Sequence, residues 1–292
     1  MATFASIAET FGVVLESPIE VLGVSPSTTP EPNTLAFLSS WDPSAHDLIE
    51  HNPYTLFLIP LDAMSAPNVI AVGNPRLAYA LAVQEVLATE SEPGVASTAM
   101  VAPSARVDRS AFVDHFAVIE EDVEVGPRSS IGSHAVLKSG VRIGTHTRIG
   151  SHTVIGGTGF GFEVDDEGTP VRVHHVGGVL IGDEVEIGSH VTIAQGTIEP
   201  TRIADHVKID DCVFVAHNVR VGEASYLIAG AEISGSVVIG RRVWVSPEAA
   251  VINKVVIGDD ALIGIGAVVT KNVAENTIVA GVPARPLGPR YK

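Results

Sequence analysis

A six-residue hydrophobic period governs the chain from residue 101 onward. Aliphatic residues recur at every sixth position over 101–155, again over 181–193 and, after a shift of frame, over 203–269. The following position is often glycine, as in IGSHAV, IGTHTR and IGRRVW. A unit this short fits one strand and one tight turn, in which the aliphatic side chain points inward and its small neighbour lets the backbone turn.

Three such units would make one coil of a three-sided prism. Successive coils would then stack at the spacing of adjacent strands, ~4.8 Å, and aliphatic side chains three units apart would form ladders in a narrow interior. The composition agrees, because 46% of the residues are hydrophobic while only 5% are aromatic. The pattern therefore predicts a mainly β protein built on a parallel β-helix.

Two stretches lack the period. Residues 156–180 alternate around the acidic turn DDEG, which predicts a hairpin ejected from the prism. Residues 1–95 contain the strand-like runs NTLAFLSS and TLFLIPLD and a helical run over 77–90, with Asn74 as its cap and Pro75 at its start. We therefore predict a small α/β domain over 1–95, a join within 91–98, the β-helix over 96–280 and a tail over 281–292.

Charge and cysteine content limit the function classes. The formal net charge of −16 argues against nucleic acid as a partner and against an anionic membrane surface. The single cysteine, Cys212, fits a reducing compartment. The chain begins without a recognisable secretory leader and contains no apolar run long enough to span a membrane. A cytoplasmic protein without stable membrane insertion is the expectation.

Several segments resemble one family. The hexapeptide period is similar to that of the left-handed β-helix acyltransferases, and the handedness is taken from this resemblance. The order of the segments NTLAFLSS, GTGFGFEVDDEGTPVRVHHVGGVLIGD and VKIDDCVFVAHNVRVG resembles the UDP-3-O-(3-hydroxyacyl)glucosamine N-acyltransferases of lipid A synthesis. The resemblance extends over roughly residues 20–285. It implies a homotrimer that transfers an acyl group from a carrier-protein thioester to the amine of a UDP-linked sugar.

The resemblance also implies a catalytic base. The histidine of the AHN segment corresponds to His217, which would take the proton that the attacking amine loses. Gly235, one coil further on the same face, would leave room for substrate and offer a backbone N–H to the oxyanion. Asn218 is a candidate substrate contact, with a turn residue as the alternative. No metal and no tightly bound cofactor is expected.

Acceptor recognition is expected from the N-terminal domain and from the hairpin. By resemblance, Phe37 would stack on uracil, Ser40 stands where the family has asparagine, and Trp41 could stack instead. His175, on the predicted hairpin, is a candidate acceptor contact that could reach a neighbouring subunit, with an exposed hairpin strand as the alternative.

The donor stays open between acyl carrier protein and coenzyme A. The ending VVTKNVAENTIVAGVPARPL resembles CoA-dependent hexapeptide acetyltransferases, so Lys271 and Arg285 are candidate phosphate contacts. Phe160 and Phe162 are candidates for an acyl groove, or anchors of the hairpin. The family's acidic residue and second histidine are replaced here by Ala194 and by Asn253–Lys254. A CoA-dependent N- or O-acetyltransferase acting on another sugar is therefore the alternative.

Histidines in IG[ST]H units suggest a different class of function. Four histidines share the fourth position of these units: His134, His146, His152 and His190. His134 and His152 should stack, which resembles part of the zinc site in carbonic anhydrases of this fold. Zinc needs three converging ligands, and the sequence supplies no third. A zinc enzyme of that kind or a binding scaffold without transfer activity remains the alternative.

Overall fold

The computed structural model describes residues 2–87 and 92–291. The chain divides into two compact units, Met1–Glu90 and Ser91–Lys292, and each is described by itself. Among the described helices, none is long and apolar enough to cross a membrane.

The first unit is a parallel four-stranded sheet with three helices. In chain order the elements are α1 (Phe4–Thr10), β1 (Gly23–Val24), β2 (Thr34–Phe37), α2 (Pro43–His51), β3 (Thr55–Pro60), β4 (Val69–Val72) and α3 (Pro75–Leu87). The strands lie side by side in the order β1-β2-β3-β4. Strand β3 is buried on both faces, with Leu56 and Leu58 in one apolar cluster and Phe57 and Ile59 in another. Burial on both faces is typical of parallel sheets, and the sheet with its helices gives this unit an α/β architecture.

Side-chain caps begin the helices. Thr3 and Ser6 form a reciprocal capping box at α1, and Asp42 accepts from the backbone at the start of α2. Asn74 Oδ1 accepts from Leu77 N at 3.1 Å, so the predicted start of α3 is confirmed. The last three predicted residues of that helix, 88–90, lie outside the described residues. The short helices α1 and α2 were not predicted, because neither carries a long apolar period.

The second unit is a prism of three parallel sheets. Face 1 comprises Gly94–Val95, Phe112–Val113, Ser130–Ile131, Arg148–Ile149, Glu186–Ile187, Lys208–Ile209, Tyr226–Leu227, Trp244–Val245, Leu262–Ile263, Thr277–Ala280 and the antiparallel Arg285–Pro289. Face 2 comprises Met100–Val101, Val118–Ile119, Val136–Leu137, Val154–Gly157, Thr192–Ala194, Phe214–Val215, Glu232–Ile233, Ala250–Val251 and Val268–Val269. Face 3 comprises Arg106–Val107, Glu124–Val125, Val141–Ile143, Val179–Ile181, Thr201–Ile203, Arg220–Val221, Val238–Ile239 and Val256–Ile257.

The aliphatic ladders lie where the period predicts. Val125 pairs in register with Val107 and with Ile143, and Val215 pairs with Ile233. Val215 is fully buried and Val221 is 2% exposed. Because each coil covers the apolar side chains of the next, the core is one continuous aliphatic column, and the predicted β-helix is confirmed.

The turns of the prism are made at a different position of the six-residue unit from the one predicted. A left-handed backbone occurs at the fourth position of the unit, as at His134 with φ 59° and His152 with φ 60°. The glycine at the second position serves close packing instead, since a Cβ on Gly150 would collide with the Gly188 carbonyl carbon. Histidine tolerates the left-handed region better than most residues, which explains its recurrence at the fourth position.

Two excursions interrupt the prism between 156 and 202. The first is an antiparallel hairpin of Phe162–Val164 and Pro170–Arg172, which confirms the ejected hairpin. The second is a shorter loop over 195–200, between Thr192–Ala194 and Thr201–Ile203. The sequence signalled this second excursion only as a shift of frame.

Candidate functional site

His217 follows a strand of face 2, with Ala216 between them. The strand Phe214–Val215 pairs with Glu232–Ile233, and Ser236 N donates to His217 O at 2.9 Å. Because this register continues past the strand, Gly235 lies opposite His217 on the next coil. The imidazole is half-buried on the outside of the prism, not in its aliphatic core.

Gly235 leaves the space that the imidazole occupies. A Cβ at this position would lie 2.8 Å from both Cε1 and Nε2 of His217. Ser234 N and Ser236 N donate to backbone carbonyls, whereas the Gly235 N–H donates to no acceptor among the described residues. The Nε2 end of His217 therefore lies beside a residue whose backbone N–H has no acceptor among the described residues.

Asn218 ties the second excursion to this turn. Its backbone is left-handed, with φ 60°. Its side-chain oxygen accepts from Thr197 N at 2.6 Å, and its Nδ2 donates to Thr197 Oγ1 at 3.2 Å. Thr201 Oγ1 accepts from Asn218 N at 3.0 Å. The amide thus fixes the loop over 195–200 beside His217, and its predicted contact with substrate stays a prediction.

His175 returns from the hairpin and packs on His217 of the same chain. The two ring centroids are 4.9 Å apart with an interplanar angle of 64°. His175 is only 6% exposed, so it is neither an exposed strand residue nor extended toward another subunit, the two possibilities left by the sequence. Gly159 permits the contact, because a Cβ there would lie 2.7 Å from His175 Nε2 and 2.9 Å from His217 Cβ.

Burial sets the protonation of the site. Desolvation lowers the pKa of His217 below its ordinary value of 6.5, and the neighbouring His175 lowers it further. His217 is therefore neutral at pH 7, with a lone pair available to accept a proton. No carboxylate of the described residues forms an ion pair or hydrogen bond with its ring.

The predicted donor contacts are exposed. The rings of Phe160 and Phe162 meet edge to face, with their centroids 5.0 Å apart. Phe160 is 86% exposed and Phe162 is 37% exposed. Because its ring lies in solvent, Phe160 does not anchor the hairpin in this chain. Arg172 lies over the ring of Phe162 at 4.4 Å. Lys271 and Arg285 are exposed near the end of the prism. The structure does not bring these cations to His217 as a described contact.

The predicted acceptor residues of the first unit border an open cleft. Phe37 and Ser40 line a volume of about 540 Å³ together with Ser27, Thr28 and the start of α2. The ring centroids of Phe37 and Tyr79 are 4.8 Å apart. Trp41 is partly buried and packs against the apolar cluster that includes Phe57. Hydrogen bonds from Ser44 lower the pKa of Asp42, so the cleft is bordered by an ionised carboxylate at neutral pH.

The histidines of the regular coils form a separate surface ladder. Phe116, His134, His152 and His190 stack at one corner with successive centroid separations of 5.0, 4.8 and 5.0 Å. The three imidazole planes are within 3° of parallel, so their in-plane lone pairs do not converge on one point. Among the described residues, the one cluster with metal-ligand spacing is the exposed His46, Asp47 and Glu50 on α2. The zinc alternative gains no support from this ladder.

Sequence reasoning missed Gly159 and Thr197. Gly159 lies in the segment GTGFGF, whose glycines signalled a turn but not a close approach to an imidazole. Thr197 lies in the loop that appeared only as a shift of frame. Both residues make their contacts only when the two excursions fold against the prism, and the spacing of residues along the sequence does not show this.

The fold and site define a hexapeptide-repeat protein of the left-handed β-helix type. The Francisella novicida UDP-N-acetylglucosamine acyltransferase superposes with a TM-score of 0.62 at 26% identity, covering 67% of this chain and 70% of that one. The UDP-N-acetylglucosamine acyltransferase from Campylobacter jejuni shares the fold, with a TM-score of 0.60 at 20% identity, over 68% of this chain and 75% of that one. No protein-family model matches the chain.

Curated relatives agree with the resemblance expected from the motifs. The Bordetella parapertussis UDP-3-O-acylglucosamine N-acyltransferase is 37% identical over 130 residues, 44% of this chain and 36% of that protein. A probable mitochondrial UDP-3-O-acylglucosamine N-acyltransferase 2 of Arabidopsis thaliana is 38% identical over 132 residues, 45% of this chain and 43% of that protein. The chain thus spans about two-fifths of the length of these relatives. The predicted resemblance to this family of acyltransferases is confirmed.

Proposed function

We propose that this protein is an acyltransferase that moves an acyl group from a thioester to the amine of a UDP-linked amino sugar. The observation that carries the proposal is the half-buried His217, whose Nε2 lies beside Gly235, a residue whose N–H donates to no acceptor among the described residues. The names of the curated relatives support the same reaction class.

The chemistry needs a base and a hydrogen-bond donor. The amine nitrogen attacks the thioester carbonyl carbon while His217 accepts the proton that the nitrogen loses, assistance worth ~10²–10⁴-fold. The carbonyl oxygen becomes an oxyanion, which the Gly235 N–H would stabilise. As the carbon–sulfur bond breaks, the imidazolium returns the proton to the thiolate. The products are the amide and a free thiol, with no covalent intermediate on the protein.

The donor is acyl carrier protein or coenzyme A. The exposed Phe160 and Phe162 offer an apolar surface for an acyl chain on the hairpin that also carries His175. Lys271 and Arg285 are exposed cations that suit a phosphate or an acidic carrier protein. Neither contact requires a tightly bound cofactor.

The nucleotide would bind to the first unit. The cleft bordered by Phe37 and Ser40 offers an aromatic ring and hydroxyl groups to a nucleobase and its ribose, with Trp41 next to it in the chain. The negative Asp42 disfavours a diphosphate at that end of the cleft, so we expect the base there and the diphosphate elsewhere.

A homotrimer is part of the proposal. One prism face offers little depth, and a neighbouring face would enclose acceptor and donor around His217. The apolar hairpin surface, with Phe160 86% exposed, agrees with burial in such an assembly. We propose the cytoplasm as the compartment, since the single thiol suits a reducing environment.

A thioester-consumption assay tests this function. Acyl carrier protein, long-chain acyl-CoA and acetyl-CoA would each be offered with UDP-amino sugars, and the amide product would be identified by mass. We expect acceptor-dependent thiol release with at least one donor. Transfer from acetyl-CoA to another sugar would favour the alternative acetyltransferase. Stoichiometric zinc that is lost on His134→Ala or His152→Ala, without transfer by the wild type, would contradict the proposal.

A further inference from the structure

Two arginines lie side by side on face 3 of the prism. Arg202 pairs in register with Arg220 on the adjacent parallel strand, about 4.8 Å away. The next in-register positions are Leu180 on one side and Val238 on the other, so neither flanking strand supplies a carboxylate at this position. Like charges placed directly opposite each other on a sheet are destabilising, so the pair calls for an explanation.

Charged residues elsewhere on the strands are arranged differently. Every other in-register pair of charged residues on the described strands joins opposite charges: Arg106 with Glu124, Glu124 with Arg142, Arg148 with Glu186, and Glu186 with Lys208. The carboxylate of Glu124 forms ion pairs with both of its neighbours. The repeat thus pairs opposite charges where it can, and the two adjacent arginines depart from that arrangement.

The charge of the arginine pair is poorly compensated. Arg202 approaches the carboxylate of Glu199 at 3.9 Å, and its side chain stays 47% exposed. Arg220 is exposed, and its guanidinium forms no ion pair or hydrogen bond within the described part of the chain. Because the whole chain carries a formal net charge of −16, the pair is a local positive site on an acidic protein.

The arginine pair lies next to the turn that carries His217. Arg220 follows His217 by three residues, so their Cα atoms are within about 11 Å of each other. Arg202 directly follows Thr201, whose hydroxyl accepts a hydrogen bond from Asn218 N at 3.0 Å. The pair is therefore close enough to bind one end of a substrate whose other end reacts at His217.

Phosphate is the anion that the substrates of the proposed reaction carry. A guanidinium stays charged at neutral pH and donates two parallel hydrogen bonds to phosphate oxygens. The nucleotide-linked acceptor has a diphosphate, and both candidate donors have a phosphate on their pantetheine arm. A phosphate between the two guanidinium groups would offset the repulsion between them.

We propose that Arg202 and Arg220 bind a phosphoryl group of a substrate, either the diphosphate of the nucleotide sugar or the phosphate of the donor. The identity of that substrate rests on the proposed function. The two arginines act in binding alone, and proton transfer stays with His217.

Calorimetric titration of the full chain tests the site without turnover. The probes are two matched pairs, UDP with uridine and 4′-phosphopantetheine with pantetheine, and only the phosphate groups differ within each pair. In the wild type we expect the phosphorylated member of at least one pair to bind ~10-fold more tightly or better. Arg202→Gln and Arg220→Gln should each lose this advantage, and added salt should reduce it.

Arg142→Gln is the matched control. Arg142 has the same outward position on face 3, but it forms an ion pair with Glu124, so we expect its substitution to leave the phosphate advantage unchanged. A loss with the UDP pair assigns the site to the acceptor, and a loss with the pantetheine pair assigns it to the donor. An equal phosphate advantage in all three glutamine variants would overturn the proposal, as would a wild type without any phosphate advantage.

Kinetics separates the arginine site from the proposed function. In the transfer assay we expect Arg220→Gln to raise the KM of the phosphate-bearing substrate ~10-fold or more with little change in kcat. Unchanged KM values in an active double variant, Arg202→Gln with Arg220→Gln, would contradict the arginine site and leave acyl transfer intact. A phosphate advantage in the titrations without turnover by the wild type would contradict the proposed function and leave the site intact.

Discussion

Two groups of histidines on the same prism differ in what surrounds them. His134, His152 and His190 occupy equivalent corners of regular coils, stack on one another and stay exposed. His217 and His175 meet where the coils are interrupted, and each has a buried nitrogen without a partner. The regular repeat thus produces ladders, whereas the interruptions produce an enclosed pair.

The difference has a geometric origin. In regular coils every unit presents its fourth residue to its copy above and below, so like side chains stack and share one environment. The hairpin and the loop over 195–200 bring residues from outside the repeat, His175 and Thr197, against the His217 turn. Excursions from a rigid scaffold are where binding and chemistry tend to lie.

Filling the space beside His217 should lower kcat more than the other substitutions discussed below, apart from the loss of His217 itself. In Gly235→Ala the new methyl would lie 2.8 Å from the imidazole and displace it, so we expect kcat to fall by ~10²-fold. Gly157→Ala is the matched control, because a Cβ there meets nothing within 4 Å. Equal rates in the two variants, measured by thiol release, would show that the imidazole position does not matter.

The acidic limb of the pH profile should report the buried histidine. Protonated His217 cannot accept a proton, so activity falls as the pH drops through its pKa. Because burial and His175 lower that pKa, we expect the limb of kcat/KM below pH 6.5. Titration of the free acceptor amine separates the substrate's own limb. An enzyme limb above pH 6.5 would contradict a desolvated base.

Removing the amide of Asn218 should weaken the second excursion. Asn218→Gly keeps the left-handed backbone but loses the bonds to Thr197, so we expect a lower free energy of unfolding by ~1–2 kcal/mol. Ser236→Gly is the control, since Ser236 is also left-handed and its hydroxyl makes no hydrogen bond among the described residues. Chemical denaturation compares the two, and equal stabilities would mean that the amide does not hold the loop.

A change in the ladder should have the smallest effect. His152→Asn keeps a residue that tolerates the left-handed turn and removes one exposed ring of the stack. We expect the free energy of unfolding to change by no more than ~0.5 kcal/mol and the rate of acyl transfer to stay at the wild-type value. A loss of activity in this variant would mean that the stacked histidines take part in the reaction.

The sequence predicted the regular part of this molecule better than the interrupted part. A six-residue period determines inward residues such as Val215 and the stacking of coils, because every unit repeats the same local geometry. It also placed His217 opposite Gly235. The contact between His175 and His217 depends on how a hairpin folds back over the prism, and such long-range packing leaves no local pattern. The resemblance named His217 but not its buried partner.

The central claim is that the interrupted coils, and not the ladder, carry acyl transfer. Its most direct test compares His217→Ala with His152→Ala in one thioester-consumption assay, with folding of both checked by thermal melting. The account predicts a ~10²–10⁴-fold lower kcat for His217→Ala and the wild-type rate for His152→Ala. Wild-type turnover in a folded His217→Ala variant would contradict it.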